Sequence, residues 1–154
     1  MPRITGEGRH KPHAILATTS SDSHTWNLLF IQLLIEESGW SVANLGSCTP
    51  VGLLRDECLR QPPDMIVIST VNGHGAQEAP GIIAVLHAEP ALDEIPVYLG
   101  GKLCTSTQDE RDAVPGLLAA GYTGVLVGED AVPVFRTALA LAGARPRALA
   151  RPRA

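Results

Sequence analysis

The chain is poor in aromatic residues: two each of Trp, Tyr and Phe make up 4% of its 154 residues. A site that flanks a flat ring system with aromatic faces has little to draw on here. Cysteine is scarce as well. Cys48, Cys58 and Cys104 are odd in number and never stand in C-x-x-C spacing. That excludes a disulfide framework and a thiolate zinc site, and it fits reduced thiols in a cytoplasmic protein. No apolar run is long enough to span a bilayer, and no signal-peptide pattern is visible at the N-terminus. Lysine is nearly missing, with two against ten arginines. Between residues 12 and 144 only five basic side chains stand against fifteen acidic ones. A body this acidic argues against a nucleic-acid-binding surface.

What is present is an alternation of apolar and amphipathic segments in a chain that is 45% hydrophobic and 18% charged. This is a globular composition of one-domain size. Strands are expected at His13–Thr18, Ser41–Leu45, Met65–Thr70, Pro96–Leu99 and Gly124–Val127. Helices are expected at Asn27–Ser38, Pro50–Arg60, Gln77–Ala88, Gln108–Ala120 and Val132–Ala142. Five βα units imply an α/β fold, a parallel sheet covered by helices on both faces. The compact solution is a flavodoxin-like (Rossmann-like) three-layer sandwich with strand order 2-1-3-4-5. Residues 1–12 read as a flexible segment, 13–143 as the domain, and 144–154 as a disordered Arg/Pro tail.

In such sheets ligands bind beyond the carboxyl ends of the strands, at the switch between strands 1 and 3. Three loops on that edge are rich in Gly, Ser, Thr and Asn: 19–27, 71–78 and 100–107. The first contains Ser21-Asp22-Ser23-His24-Thr25-Trp26-Asn27. An Asp two residues before a His can hold one ring nitrogen and leave the other free to coordinate a metal. The same Asp could instead cap the next helix. Of the other histidines, His87 reads as a surface helix residue, and His10 and His13 as loop or core residues. His74, on the cleft-edge loop, could meet a ligand or a partner subunit, and Lys102 could meet a phosphate or amide of a ligand but reads first as a solvated lysine.

Three motifs in order carry a resemblance: Asp22-Ser23-His24-Thr25-Trp26-Asn27 after strand 1, Ser69-Thr70-Val71 ending strand 3, and Gly100-Gly101 after strand 4. With Asn44-Leu45-Gly46 and Asn72-Gly73-His74-Gly75, they make the chain resemble the cobalamin-binding domain family. Its flavour is that of the small subunits of glutamate (methylaspartate) mutase. The resemblance runs from about His13 to about Phe135.

It implies that His24 is the lower axial ligand of cobalt and that Asp22 orients it. It also implies that Ser69 meets the base of the displaced nucleotide tail, and that Gly100 and Gly101 let the tail pass. Ser21, Ser23, Thr25, Val71 and Gly73 complete the implied cofactor-binding set. The implied cofactor is adenosylcobalamin. The implied activity is that of a carbon-skeleton mutase (an isomerase), inactive without a separate large barrel-shaped subunit that makes most substrate contacts. The short stretch ahead of strand 1 argues against a corrinoid methyl carrier. Two positions depart from the family pattern: Val71 replaces a leucine, a conservative apolar change, and Asn27 stands where the motif has glycine, preceded by the bulky Trp26. Asn27 could serve as a helix cap. Trp26 could stack on a ligand, pack into the core or meet a partner.

Two other classes remain open. The hydroxyl-rich stretch Thr18–Thr25 would suit the phosphate of a flavodoxin-like FMN protein, though the aromatics to flank the flavin are few. The fold could also serve an adaptor or regulatory domain that has lost the cofactor. A phosphoacceptor receiver is disfavoured, because strand 3 ends in Ser69-Thr70 and not in aspartate.

Overall fold

A computed structural model describes residues 11–144. The expected tail, apart from Ala144, and all but the last two residues of the expected N-terminal segment lie outside the described residues, as does His10. Ten elements alternate without exception: β1 (His13–Ala17), α1 (Trp26–Glu37), β2 (Ser41–Asn44), α2 (Val51–Arg60), β3 (Met65–Thr70), α3 (Gly75–His87), β4 (Val97–Gly101), α4 (Thr107–Ala120), β5 (Gly124–Leu126) and α5 (Ala131–Ala144). The five strands form one parallel sheet of order β2-β1-β3-β4-β5, as expected.

The central strand explains the layering. All six residues of β3 are buried, as a strand covered on both faces requires. Its side chains alternate between two cores. Ile66 and Ile68 join Ile15, Ala17, Val97 and Leu99 beneath α2, α3 and α4. Met65 and Val67 join Ala14 and Leu16 beneath α1 and α5, where Leu28, Ile35, Trp40, Phe135 and Leu139 close the layer. Trp40 is buried and donates its indole N–H to the Leu139 carbonyl at 3.2 Å, tying α5 to the end of α1.

Six element starts differ from expectation by one or two residues, those of α1, α2, α3, β4, α4 and α5, and two of them bear on the site. Helix α1 begins at Trp26, with Thr25 in the cap position, so Asn27 lies inside the first turn and is not the cap. Helix α3 begins at Gly75, two residues early, because Gln77 and Glu78 both donate backbone N–H groups to the His74 carbonyl. Strand β4 runs on through Gly100 and Gly101, which pair with Ser69 and Thr70 of β3. The loop after β4 is ordered by Glu110, whose carboxylate accepts the Leu103 N–H at 2.7 Å.

Candidate functional site

The parallel sheet brings the ends of β1, β3 and β4 to one edge, and there the three loops meet. Asp22 is their centre. It is 1% exposed, and both its oxygens are engaged. Oδ1 accepts the His24 backbone N–H at 2.9 Å and lies 2.6 Å from His24 Nδ1. Oδ2 accepts the Thr70 hydroxyl at 2.6 Å and the Val71 N–H at 2.8 Å. Burial pushes the Asp22 carboxyl up. The bonds from Thr70, from the His24 and Val71 backbones and from the His24 ring outweigh it and hold the group well below the usual carboxylate range. An ionised carboxylate only accepts, so His24 Nδ1 carries the proton. Nε2 is then the unprotonated nitrogen, on a ring that is 58% exposed. The alternative of Asp22 as a helix cap is thereby overturned: its partners are the loop and β3, not the α1 N-terminus.

Ser21 and Asn72 add a second tie between the same loops. Asn72 donates from Nδ2 to Ser21 Oγ at 2.9 Å, and its Oδ1 accepts the His74 N–H. Thr70 and Asn72 stand inside the quoted motifs, but the sequence reading gives them no role of their own. The available signal was a run of polar residues ending a strand that is otherwise wholly apolar.

Beside this loop cluster, on the α1 and α5 side of the sheet, runs a groove of about 200 Å³. Asn27, Ser69, Tyr98, Gly100, Gly101 and Gly128 line its polar and small-residue wall, and Phe30, Leu34 and Val132 its apolar one. Ser69 and the glycine pair therefore share one cavity. Ser69 already accepts a hydrogen bond from Asn27 Nδ2 at 2.8 Å, which leaves its own proton to donate. The glycines also answer to the chain itself. A Cβ on Gly100 would stand 3.1 Å from the Leu126 carbonyl oxygen, and one on Gly101, at φ +111°, would overlap the Thr70 carbonyl.

Other expected residues lie apart from the groove. Ser23 and Thr25 are exposed on the loop. Gly73 turns at φ +82° against Thr105. His74 is exposed at the cap of α3, and Lys102 is exposed after β4. Trp26 is 84% exposed, which removes core packing from its possible roles. His87 is half-buried at the end of α3, its ring against Gly121, and so is less of a surface residue than expected. His13 packs at the start of β1 with Nδ1 2.8 Å from Ser41 Oγ.

This geometry coincides with a family-level match: the model of the B12 binding domain covers residues 12–135. The chain belongs to the B12-binding domain family. Among curated proteins, this B12-binding domain is 32% identical over 90 residues to the HTH-type transcriptional repressor CarA of Myxococcus xanthus. That match takes in 58% of this chain and 31% of the repressor, so the chain spans about a third of that relative's length. It is 30% identical over 98 residues to the glutamate mutase sigma subunit of Fusobacterium nucleatum, covering 64% of this chain and 71% of the subunit. In fold it is similar to a cobalamin-binding protein from Desulfitobacterium hafniense. There the TM-score is 0.65 and the identity 19%, over 83% of this chain and 59% of that one.

The residues present fit a corrinoid. One imidazole nitrogen is free while the other is anchored, and a groove of small and apolar residues opens beside it. Among the described residues, no cluster of three or more His, Cys, Asp or Glu could hold a bare metal ion. A metal that arrives already held by a macrocycle needs only one protein ligand.

Proposed function

We propose that this chain is the cobalamin-carrying subunit of an adenosylcobalamin-dependent carbon-skeleton mutase resembling glutamate mutase. The observation that carries the reading is the 2.6 Å contact between Asp22 and His24 Nδ1, which leaves Nε2 as a single oriented ligand at the sheet edge.

In this reading His24 would hold cobalt through Nε2, and Asp22 would fix the tautomer and orient the ring. Thr70 and the Val71 N–H hold the carboxylate in turn. The groove takes the nucleotide tail, with Ser69 donating to its base and Gly100 keeping the wall low. Bound adenosylcobalamin supplies a carbon-centred radical by homolysis of its cobalt–carbon bond. The chain's own work is to place and ligate the cofactor. Substrate contacts and exclusion of water fall to a separate large subunit. Trp26, Leu29, Phe30 and Leu33, all exposed on one face of α1, form the kind of apolar stripe that partners cover. No helix among the described residues is long and apolar enough to cross a membrane, which accords with a cytoplasmic complex.

Electron paramagnetic resonance of the Co(II) form with nitrogen-15 histidine tests the ligation. Coupling to a protein nitrogen that is lost in His24→Ala is expected. Splitting unchanged by labelling overturns the reading. The lone chain with adenosylcobalamin and glutamate should show no turnover, and turnover should appear only with a large subunit.

A second reading has one observation in its favour, the similarity to a transcriptional repressor over 90 residues. In it the same His24 site serves a cobalamin-responsive regulator. Absence of turnover with every candidate large subunit, alongside intact cobalamin binding, would favour it.

A further inference from the structure

A second cavity lies on the opposite face of the sheet, and the corrinoid reading makes no use of it. Its volume is about 300 Å³. It opens between the end of β1, the start of α2 and the first turn of α3. Thr18, Ser20, Thr49 and Glu78 supply its polar groups, and Leu54 and Ile82, from the core beneath α2 and α3, its apolar floor.

The polar groups are unequally satisfied. Thr49 Oγ1 donates to the Gly46 carbonyl at 2.8 Å and accepts the Thr18 N–H at 3.2 Å, so its only proton is committed. Thr18 is 2% exposed, yet its Oγ1 has no hydrogen-bond partner. Glu78 Oε2 is also buried without one, and Glu78 makes no ion pair among the described residues. Leaving such groups unpaired is costly, most of all for a carboxylate. The two atoms are not hydrogen-bonded to each other, so a group with several N–H donors placed between them would satisfy both. Water could satisfy these atoms too, but a single bridging water, about 30 Å³ of liquid, leaves most of the cavity unfilled. No lysine or arginine lines the cavity. Two unpaired acceptors, one of them a carboxylate, sharing a cavity with the aliphatic Leu54 and Ile82 match a cation with a short hydrocarbon body.

We propose that this cavity is a binding site for a small primary alkylammonium compound. Its ammonium group donates to Glu78 Oε2 and Thr18 Oγ1, and its alkyl part lies on Leu54 and Ile82. The site is built from side chains that neither His24 nor the groove uses. Its nearness to the metal-site loop comes from Thr18 and Ser20, which lead directly into Asp22.

The test is calorimetric titration of the full chain with n-butylammonium chloride at fixed ionic strength. Ammonium, potassium and tetramethylammonium chlorides, and neutral 1-butanol, are the comparison probes. Saturable binding of butylammonium, and of none of the others with comparable affinity, is expected. Loss of the charge-assisted bond in Glu78→Gln should weaken it about ten- to hundredfold. Gly81→Leu keeps every hydrogen-bonding group. It places a side chain at a rim position where a Cβ meets nothing within 4 Å, and should block binding while the protein stays folded. Equal binding of tetramethylammonium or potassium, no binding of butylammonium, or unaltered binding by folded Glu78→Gln would each overturn the proposal. None of these outcomes bears on cobalamin binding, which is read separately from its visible spectrum.

Discussion

Asn27 Nδ2 donates to Ser69 Oγ at 2.8 Å, joining the first turn of α1 to the end of β3 across the mouth of the groove. A residue that departs from the family motif is thus bonded to a residue that keeps to it. An amide in the place of a glycine has taken up part of the hydrogen-bonding capacity of Ser69.

Asn27→Gly should therefore tighten cobalamin binding and loosen the free protein. Removing the amide frees Ser69 and widens the groove. A gain of about 1–3 kcal/mol is expected from the relieved crowding, or about one to two orders of magnitude in Kd. The free protein should lose about 1–2 kcal/mol through the missing hydrogen bond and glycine in a helix. Spectral titration with parallel urea melts separates the two. Weaker binding by the glycine variant would mean that Asn27 contacts the cofactor directly.

Asp22→Asn tests the loop cluster. The variant keeps the shape but offers an N–H₂ group to partners that are themselves donors. Cobalamin affinity should fall about ten- to hundredfold, as is usual when the partner of a metal-bound histidine is changed. Stability should fall by about 1–3 kcal/mol, because the Val71 or His24 N–H is left unpaired. Unchanged affinity at unchanged stability would remove Asp22 from both roles.

The two glycines that end β4 should respond unequally to alanine. At Gly101 the backbone has φ +111° and a Cβ would overlap the Thr70 carbonyl, so about 3 kcal/mol or more is expected. At Gly100 the nearest atom is the Leu126 carbonyl oxygen at 3.1 Å, and a shift of a few tenths of an ångström suffices. About 1 kcal/mol is expected there. Denaturant melts of both variants decide it, and equal losses would refute the difference.

Stability should decline on the alkaline side. Burial, helped by the Glu57 charge, pushes the Cys58 thiol up to about 12 from an ordinary 9.0. Between those values the unfolded chain loses this proton and the folded chain keeps it. The folded state binds more protons, so stability falls as pH rises, by up to about 1.4 kcal/mol per pH unit. Burial also pushes the Tyr122 phenol up, with the same sign. Cys58→Ala should cost about 1 kcal/mol near neutrality and flatten this limb. Urea melts at stepped pH check it; an unchanged slope would mean that Cys58 is not the titrating group.

Period and punctuation made the architecture legible. Strand β3, Met65–Thr70, is where the run of apolar residues placed it, because a strand buried on both faces is apolar at every position but its polar end. The strand order followed from five βα units of this length. Element ends were less legible. Gly75 and Ala76 carry no strong start signal, so α3 was expected two residues late. Gly100 and Gly101 are poor strand formers, held in β4 by pairing with β3 that no local propensity records.

At the site, Asp22 and His24 could be named from local chemistry, as an Asp-x-His pair, and Ser69 and Gly100 through the resemblance to the cobalamin-binding family's motifs at strand ends. Their partners could not. Thr70 reaches Asp22 across 48 positions, and Asn27 reaches Ser69 across 42. Whether Trp26 is buried, and whether Thr18 and Glu78 face one cavity, also depended on how α1, α2 and α3 lie on the sheet. Which residues can ligate, cap or turn is written in the chain, since those properties belong to single side chains and short spacings. Which of them meet is set by the fold. A hydrogen bond forms within about 3 Å, and that distance between remote residues is set by packing and not by spacing along the chain.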